Sequence, residues 1–253
     1  MDINNIFSPA RFGRLVIKYL TEDRIRIRYI LVTSLVAVMV FAFFVGFMNI
    51  YNGHVRIDEE LGYFTFLIVV LGLVITSGVF RSMSDPVTAL RTLMVPASQF
   101  ERFLVRWIAV VPGFIIWMLL CCVFADAVRM LIGLILTDEG HMLPWGDIFS
   151  GSYGAVFWPE NNLYYFLLTY FFSQSFFLLG SIVWKRRHFQ KTFIALSFIT
   201  LVYFLSGGVF SGFYGSVGNL SVGLSVAFAI IAIFVNYALT YLRFRESDII
   251  NRW

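Results

Sequence analysis

The chain has 253 residues, of which 59% are hydrophobic and only 13% charged, and its mean hydropathy is +0.81. Water-soluble domains are nearer half apolar and one quarter charged, so this balance excludes a disordered chain, a fibrous repeat and an ordinary water-soluble enzyme. The formal net charge of +4 is carried by bases that cluster beside apolar runs. That placement speaks for control of membrane topology and against a nucleic-acid partner.

In chain order, no cleavable leader is expected, because residues 1–10 are polar and the short apolar stretch after them is interrupted by Lys18. Ser8 before Pro9 reads as a helix start, a hydroxyl N-cap followed by a ring whose φ is already helical. Phe12, Leu15, Val16, Tyr19 and Leu20 repeat at helical spacing, while Arg11, Arg14 and Lys18 take another face. The spacing predicts a basic amphipathic helix within 8–28, lying in the membrane interface. It is either a surface anchor or an elbow that also touches a cytoplasmic partner.

Six apolar segments approach the length needed to cross roughly 30 Å of hydrocarbon as helices. They are 29–50, 61–80, 107–124, 163–184, 192–209 and 220–242. In lipid each backbone must be satisfied within its own segment, and no ten-residue alternation suggests a β-barrel. The predicted fold is all-α: one polytopic domain over 1–253 with six transmembrane helices. Every Lys and Arg except Arg56 and Arg129 falls on one side of that arrangement, which places both termini in the cytoplasm. Trp107 and Trp184 then sit at the inner interface, with Tyr51, Tyr63, Trp145, Trp158, Tyr164 and Tyr165 at the outer one as aromatic belts.

The segment 81–106 is longer than a simple connection between two helices requires. Ser98 and Glu101 have the spacing of a capping box, and Pro96 disfavours helix at Val95. Beyond the cap, Phe100, Phe103, Leu104 and Trp107 form an apolar stripe, with Arg102 and Arg106 on another face. A docking surface fits this pattern, and an ordinary surface helix is the simpler alternative. The basic run Lys185, Arg186, Arg187 and Lys191 reads first as a topology determinant and second as a contact for anionic lipid.

Evidence for chemistry is sparse. His54, His141 and His188 are far apart, no His-Glu-x-x-His pair or Gly-x-Ser-x-Gly elbow occurs, and Cys121 and Cys122 are adjacent with no third cysteine to bridge. No catalytic residue, cofactor or metal site is expected. Asp126 and Arg129, one turn apart and able to pair, are the best intramembrane polar candidates. Asp126 is expected to mark the outer end of the third span, because a span prolonged to 137 would be about 46 Å long. Thr169, Ser173, Gln174 and Ser175 either line a path through the membrane or bond to a neighbouring helix. Gly208 and Gly212 permit close helix approach or a flexible turn. The outer stretch 126–162, with Pro144, Pro159 and five glycines, has material for a small cap.

Taken together, the amphipathic start, the six spans and a first cytoplasmic loop ending Leu93-Met94-Val95-Pro96-Ala97-Ser98-Gln99-Phe100-Glu101-Arg102-Phe103 resemble the type-2 ATP-binding-cassette exporter permeases. The step Pro96-Ala97-Ser98 followed by Glu101 is the most family-like piece. Residues 177–186 with Lys191-Thr192 resemble the junction of the fourth and fifth spans in small bacterial members. The resemblance implies a transmembrane subunit of the cytoplasmic (inner) membrane, without its own ATPase, paired as a homodimer or with a second permease. It implies two soluble ATP-binding-cassette ATPase subunits as partners, besides the lipid bilayer. Coupling would pass through the elbow, with Arg11, Arg14 and Lys18, and through the loop residues Asp85, Pro96, Ala97, Ser98, Glu101, Arg102 and Arg106. The chain has no Gly-x-x-x-x-Gly-Lys-Ser/Thr loop to cradle phosphates, so any ATPase must be a separate chain. One departure is that some members carry a re-entrant hairpin between spans five and six, where 206–219 here is short and Gly-rich. Two other classes stand beside this one: a non-transporting scaffold or accessory subunit, and a membrane-embedded enzyme.

Overall fold

The computed structural model describes residues 7–52, 57–80, 97–137, 142–146, 163–184, 187–213 and 218–250. Among these residues the chain is helical, with no strand. The helices are α1 (Pro9–Glu22), α2 (Arg24–Asn52), α3 (Ile57–Ser77), α4 (Gln99–Val110), α5 (Pro112–Thr137), α6 (Leu163–Val183), α7 (His188–Phe213) and α8 (Gly218–Ile250). Four stretches among the described residues are long and apolar enough to cross a membrane: Arg24–Met48, Gln99–Ile135, Phe166–Val183 and Val226–Glu246. Shorter apolar stretches, Leu61–Ser77 and His188–Val202, lie in α3 and α7. The chain is a multi-pass, all-α membrane protein.

Helix boundaries follow local chemistry. Ser8 is extended and Pro9 occupies the first turn of α1, as the Ser-Pro step predicts. The elbow expected over 8–28 is two helices, because α1 ends at Asp23, whose amide bonds back to the Tyr19 carbonyl at 3.1 Å, and residues 24–28 already belong to α2. Pro112 has no amide proton to continue the ladder, so α4 stops at Val110 and α5 starts afresh. Gly113 fits that break: a Cβ there would stand 3.0 Å from the Ile108 carbonyl oxygen. The third apolar helix then runs unbroken through Asp126 to Thr137. The sequence-based end near 124 was set by where charge begins, and the bonds that Asp126 makes inside the protein remove that reason to stop.

The chain divides into two compact units. The first comprises Ser8–Gly72 and Val105–Leu167. In it α2 and α5 pack along each other. Trp117 Nε1 donates to Ser34 Oγ at 2.9 Å, and twelve residues further along each helix a Cβ on Gly46 would lie 3.1 Å from Arg129 Cγ. Equal advance on both helices means that α2 and α5 run parallel. Their shared core is built from Val38, Ala42 and Val45 against Phe114, Met118, Cys121, Cys122 and Ala125, spaced at three and four residues as one face of a helix requires.

The second unit comprises Met1–Phe7, Leu73–Leu104 and Leu168–Trp253. Its core holds Phe80, Phe177, Leu178 and Phe244. The Phe177 ring packs on Phe189 at 5.3 Å, across the short turn from α6 to α7. Arg187, in that turn, takes the left-handed conformation with φ 55, which reverses the chain in few residues. Gly180 then meets α7 directly, because a Cβ there would collide with the side chain of Thr192, itself held by a 2.8 Å bond from Oγ1 to the His188 carbonyl. Gly180→Ala is expected to cost about 1–3 kcal/mol by overpacking and to lower the melting temperature in detergent. Adding Thr192→Ala removes two of the three clashing atoms and should restore part of the loss, whereas Gly13→Ala, with nothing within 4 Å of its Cβ, should change little. Equal melting of the Gly180 and Gly13 variants would refute the close approach.

Candidate functional site

The expected coupling residues lie at the start of α4. The Ser98 amide donates to Glu101 Oε2 at 3.0 Å, and the Glu101 amide donates to Ser98 Oγ at 3.1 Å. This is the reciprocal pair that the spacing predicts. Glu101 is fully buried. Two residues on, Phe103 sits in an aromatic cluster: its ring is 6.0 Å from Phe80 and almost parallel to it, 5.9 Å from Phe244 and 5.5 Å from Tyr241. Phe80 and Phe244 close the group at 5.6 Å, and Phe100 meets Tyr241 edge-on at 6.1 Å. The capped helix start is thereby wedged between the chain leaving α3 and the last turns of α8. Ala97, Arg102 and Arg106 are half-buried beside it, while Asp85 and Pro96 lie outside the described residues.

On α1, Arg14 is exposed and its Nε donates to the Ala10 carbonyl at 3.3 Å. Lys18 pairs with Glu22 at 3.4 Å, and Arg11 is half-buried. The predicted apolar stripe divides. Phe12, Leu15, Val16 and Tyr19 are half-buried, whereas Leu20 is exposed together with Ile17. Burial raises the Tyr19 phenol above its ordinary value; Asp23 adds to the rise, and Arg106 and Arg26 act against it. The phenol is thus neutral, and the inward face of α1 lies within electrostatic reach of Arg106 in the first unit.

The first unit also holds the Asp126–Arg129 pair. Arg129 Nη2 and Nε donate to Asp126 Oδ1 at 2.7 and 3.2 Å, and the other oxygen accepts from the Leu143 amide at 3.0 Å and the Trp145 indole at 2.9 Å. Both carboxylate oxygens are therefore engaged, and Asp126 has no exposed surface. The segment 142–146 is thereby tied to α5, and Trp145 approaches Phe64 at 6.4 Å. Trp145 is not merely a belt residue. Sequence spacing suggested the pairing with Arg129, but nothing local could show that donors 17 and 19 residues away complete the shell.

Gln174 belongs to the second unit. Its Nε2 donates to Thr76 Oγ1 at 3.2 Å, and Asn236 Nδ2 donates to Ser175 Oγ at 3.0 Å. Thr240 is buried one turn beyond and bonds to the Asn236 carbonyl at 2.6 Å. One polar layer thus stitches α3, α6 and α8: Gln174 and Ser175 bond to neighbouring helices, while Thr169 is exposed and Ser173 half-buried. The sequence pointed to Gln174 and Ser175 but not to Thr76 and Asn236, whose only signal is being polar inside apolar runs. Thr76 lies in the polar layer and Phe80 in the aromatic one, as Asn236 and Phe244 do, so the end of α3 and α8 run the same way.

Chemically, these groups hold helices together. The buried carboxylate has both oxygens engaged, and the polar layer is built from amide and hydroxyl groups. Among the described residues no three His, Cys, Asp or Glu side chains converge to hold a metal ion. No family model matches the chain, and no curated protein or solved structure matches it either.

Two measurements follow. Asp126→Ala removes the carboxylate that the half-buried Arg129 guanidinium, the Leu143 amide and the Trp145 indole share and should cost about 3–5 kcal/mol, seen as a lower melting temperature and faster proteolysis between α5 and α6. A variant that melts like the parent would show that the carboxylate does not hold the segment. Separately, a double-mutant cycle on Ser175→Ala and Asn236→Ala should return a coupling of about 0.6 kcal/mol, up to ~1.7, as intramembrane hydrogen bonds do; zero coupling would dissolve the polar layer.

Proposed function

We propose that this chain is the membrane-spanning permease subunit of an ATP-binding-cassette exporter in the cytoplasmic membrane, driven by ATP that separate subunits hydrolyse. It crosses six times with both termini inside. Three features support that count. The four long apolar stretches leave α3 and α7, at 21 and 26 residues, each about 31 Å or longer at 1.5 Å per residue. The parallel run of α2 and α5 requires one crossing between them, and α3 is the helix available. All Lys and Arg other than Arg56 and Arg129 then lie on one face.

The observation that carries the reading is the buried Ser98–Glu101 cap with Phe103 wedged among Phe80, Tyr241 and Phe244. A connection without a job would not need a helix start that is both capped and locked. In this reading ATP-driven closure of the partner subunits presses on the loop ending at Ser98, Glu101 and Arg102, and a dimer of permeases alternates between inward and outward access. The cap gives the push a stiff element to act on, and the aromatic cluster passes it to α8 and the end of α3. Small-molecule, peptide and lipid cargoes are all compatible with aromatic-rich walls.

Purification in mild detergent followed by mass spectrometry tests the reading. A stoichiometric soluble ATPase should co-purify, and replacing residues 85–106 with a flexible linker should release it. Arg102→Glu should weaken assembly or uncouple ATP turnover while the thermal melt stays near the parent's. A clean homo-oligomer with no ATPase in several detergents would favour the scaffold instead.

A further inference from the structure

The bend between α1 and α2 presents a face that the apolar stripe of α1 did not predict. Because Phe12, Leu15, Val16 and Tyr19 turn toward the protein, the side chains left outward are Ile17 at 64% exposure and Leu20 at 50%. Across the break at Asp23 the same character continues, with Ile25 86% and Tyr29 70% exposed. From there the exposed stripe runs up the membrane-crossing part of α2 through Val32, Val36, Val40 and Phe43. Arg14, Arg24 and Arg28 are exposed among these residues. The exposed acid on this face, Glu22, stands 3.4 Å from Lys18, which leaves the arginines as its excess charge.

Such a mixture has one natural level. An isoleucine and a tyrosine exposed at the base of a membrane-crossing helix belong at the acyl boundary, and arginines one or three residues away then meet the phosphate layer. We propose that the outward face of the α1–α2 bend is a docking surface for anionic phospholipid, with Ile17, Leu20, Ile25 and Tyr29 inserted and Arg14, Arg24 and Arg28 taking the headgroup charge. The docking of α1 then depends on lipid charge as well as on apolar area. Each arginine near an anionic surface strengthens binding roughly fivefold. The surface is independent of the transport reading, since it needs no ATPase.

The test uses the full chain with an environment-sensitive nitrobenzoxadiazole label on Ile17→Cys; the native Cys121 and Cys122 are buried and spared. The labelled protein is placed in nanodiscs of phosphatidylcholine alone or mixed with phosphatidylglycerol. Reduction of the label by aqueous dithionite should slow by roughly tenfold or more in the mixed discs, and high salt should reverse most of the effect. Arg14→Gln, Arg24→Gln and Arg28→Gln together should remove most of the lipid dependence, with the exposed Arg26 left in place. Should that variant fail to fold, the salt titration of the parent decides alone. Equal protection in both lipids would overturn the charge preference. A label exposed in every disc would assign the face to a soluble protein, and protection that follows copies per disc would assign it to a second chain; either result overturns the proposal. A permease reading that failed at the ATPase pull-down would leave all of these outcomes unchanged.

Discussion

A polar group on an apolar helix in lipid cannot fall back on water, so it must find its partner within the protein. That constraint orders both units. Asp126, placed on a mostly apolar helix, is tolerable because four donors converge on its two oxygens. Ser34 meets the Trp117 indole, Gln174 meets Thr76 and Asn236 meets Ser175. Other hydroxyls, such as those of Thr65, Ser77 and Ser181, bond back to carbonyls of their own helices. Each such bond is worth little by itself, near half a kcal/mol by the average of about 0.6 kcal/mol for intramembrane pairs. An unmet group costs more, so the bonds act chiefly by excluding alternative helix pairings.

Apolar packing then fills in what the polar contacts locate. Between α2 and α5 small residues let the backbones approach, with Gly46 under the stem of Arg129 and Ala42 facing the buried α5 stripe. Between α6 and α7 the same role falls to Gly180. Where helices end and loops begin, the work passes to rings: Phe80, Phe103, Tyr241 and Phe244 pack at centroid separations of 5.5–6.0 Å, within the range in which aromatic pairs add stability beyond burial. Dispersion between helices substitutes here for a hydrophobic drive that lipid does not supply.

How far the sequence could foresee this depends on whether the signal is local. The helical class, the helix start at Ser8-Pro9 and the Ser98–Glu101 cap are encoded within a few residues and form where spacing suggested, although the Ser8 hydroxyl makes no cap bond. Beyond Arg129, the partners of Asp126 and the partner of Gln174 are 17 to 98 residues distant, and no periodicity reaches that far. What covers the face of α1 is not a local matter either. A helical wheel shows that one side is apolar but not whether lipid or protein covers it, and the inward position of Phe12, Leu15, Val16 and Tyr19 depends on what stands opposite. The break at Asp23 was missed because neither glycine nor proline marks it; the Asp23 amide simply closes the last turn of α1 on the Tyr19 carbonyl.

These contacts also distribute stiffness. α4 begins in one unit, at Ser98, and its last turns belong to the other, beyond Leu104. Its first turn cannot fray without unmaking two reciprocal bonds and exposing a buried carboxylate, whereas its last turn meets Pro112, which breaks the ladder by withholding a donor. The twelve residues of α4 span about 18 Å between that cap and the break in the ladder at the Val111–Pro112 step. Under the permease function proposed above, a capped start, a break in the ladder at Pro112 and a long apolar helix anchored by Asp126 would be the elements that carry movement into the bilayer.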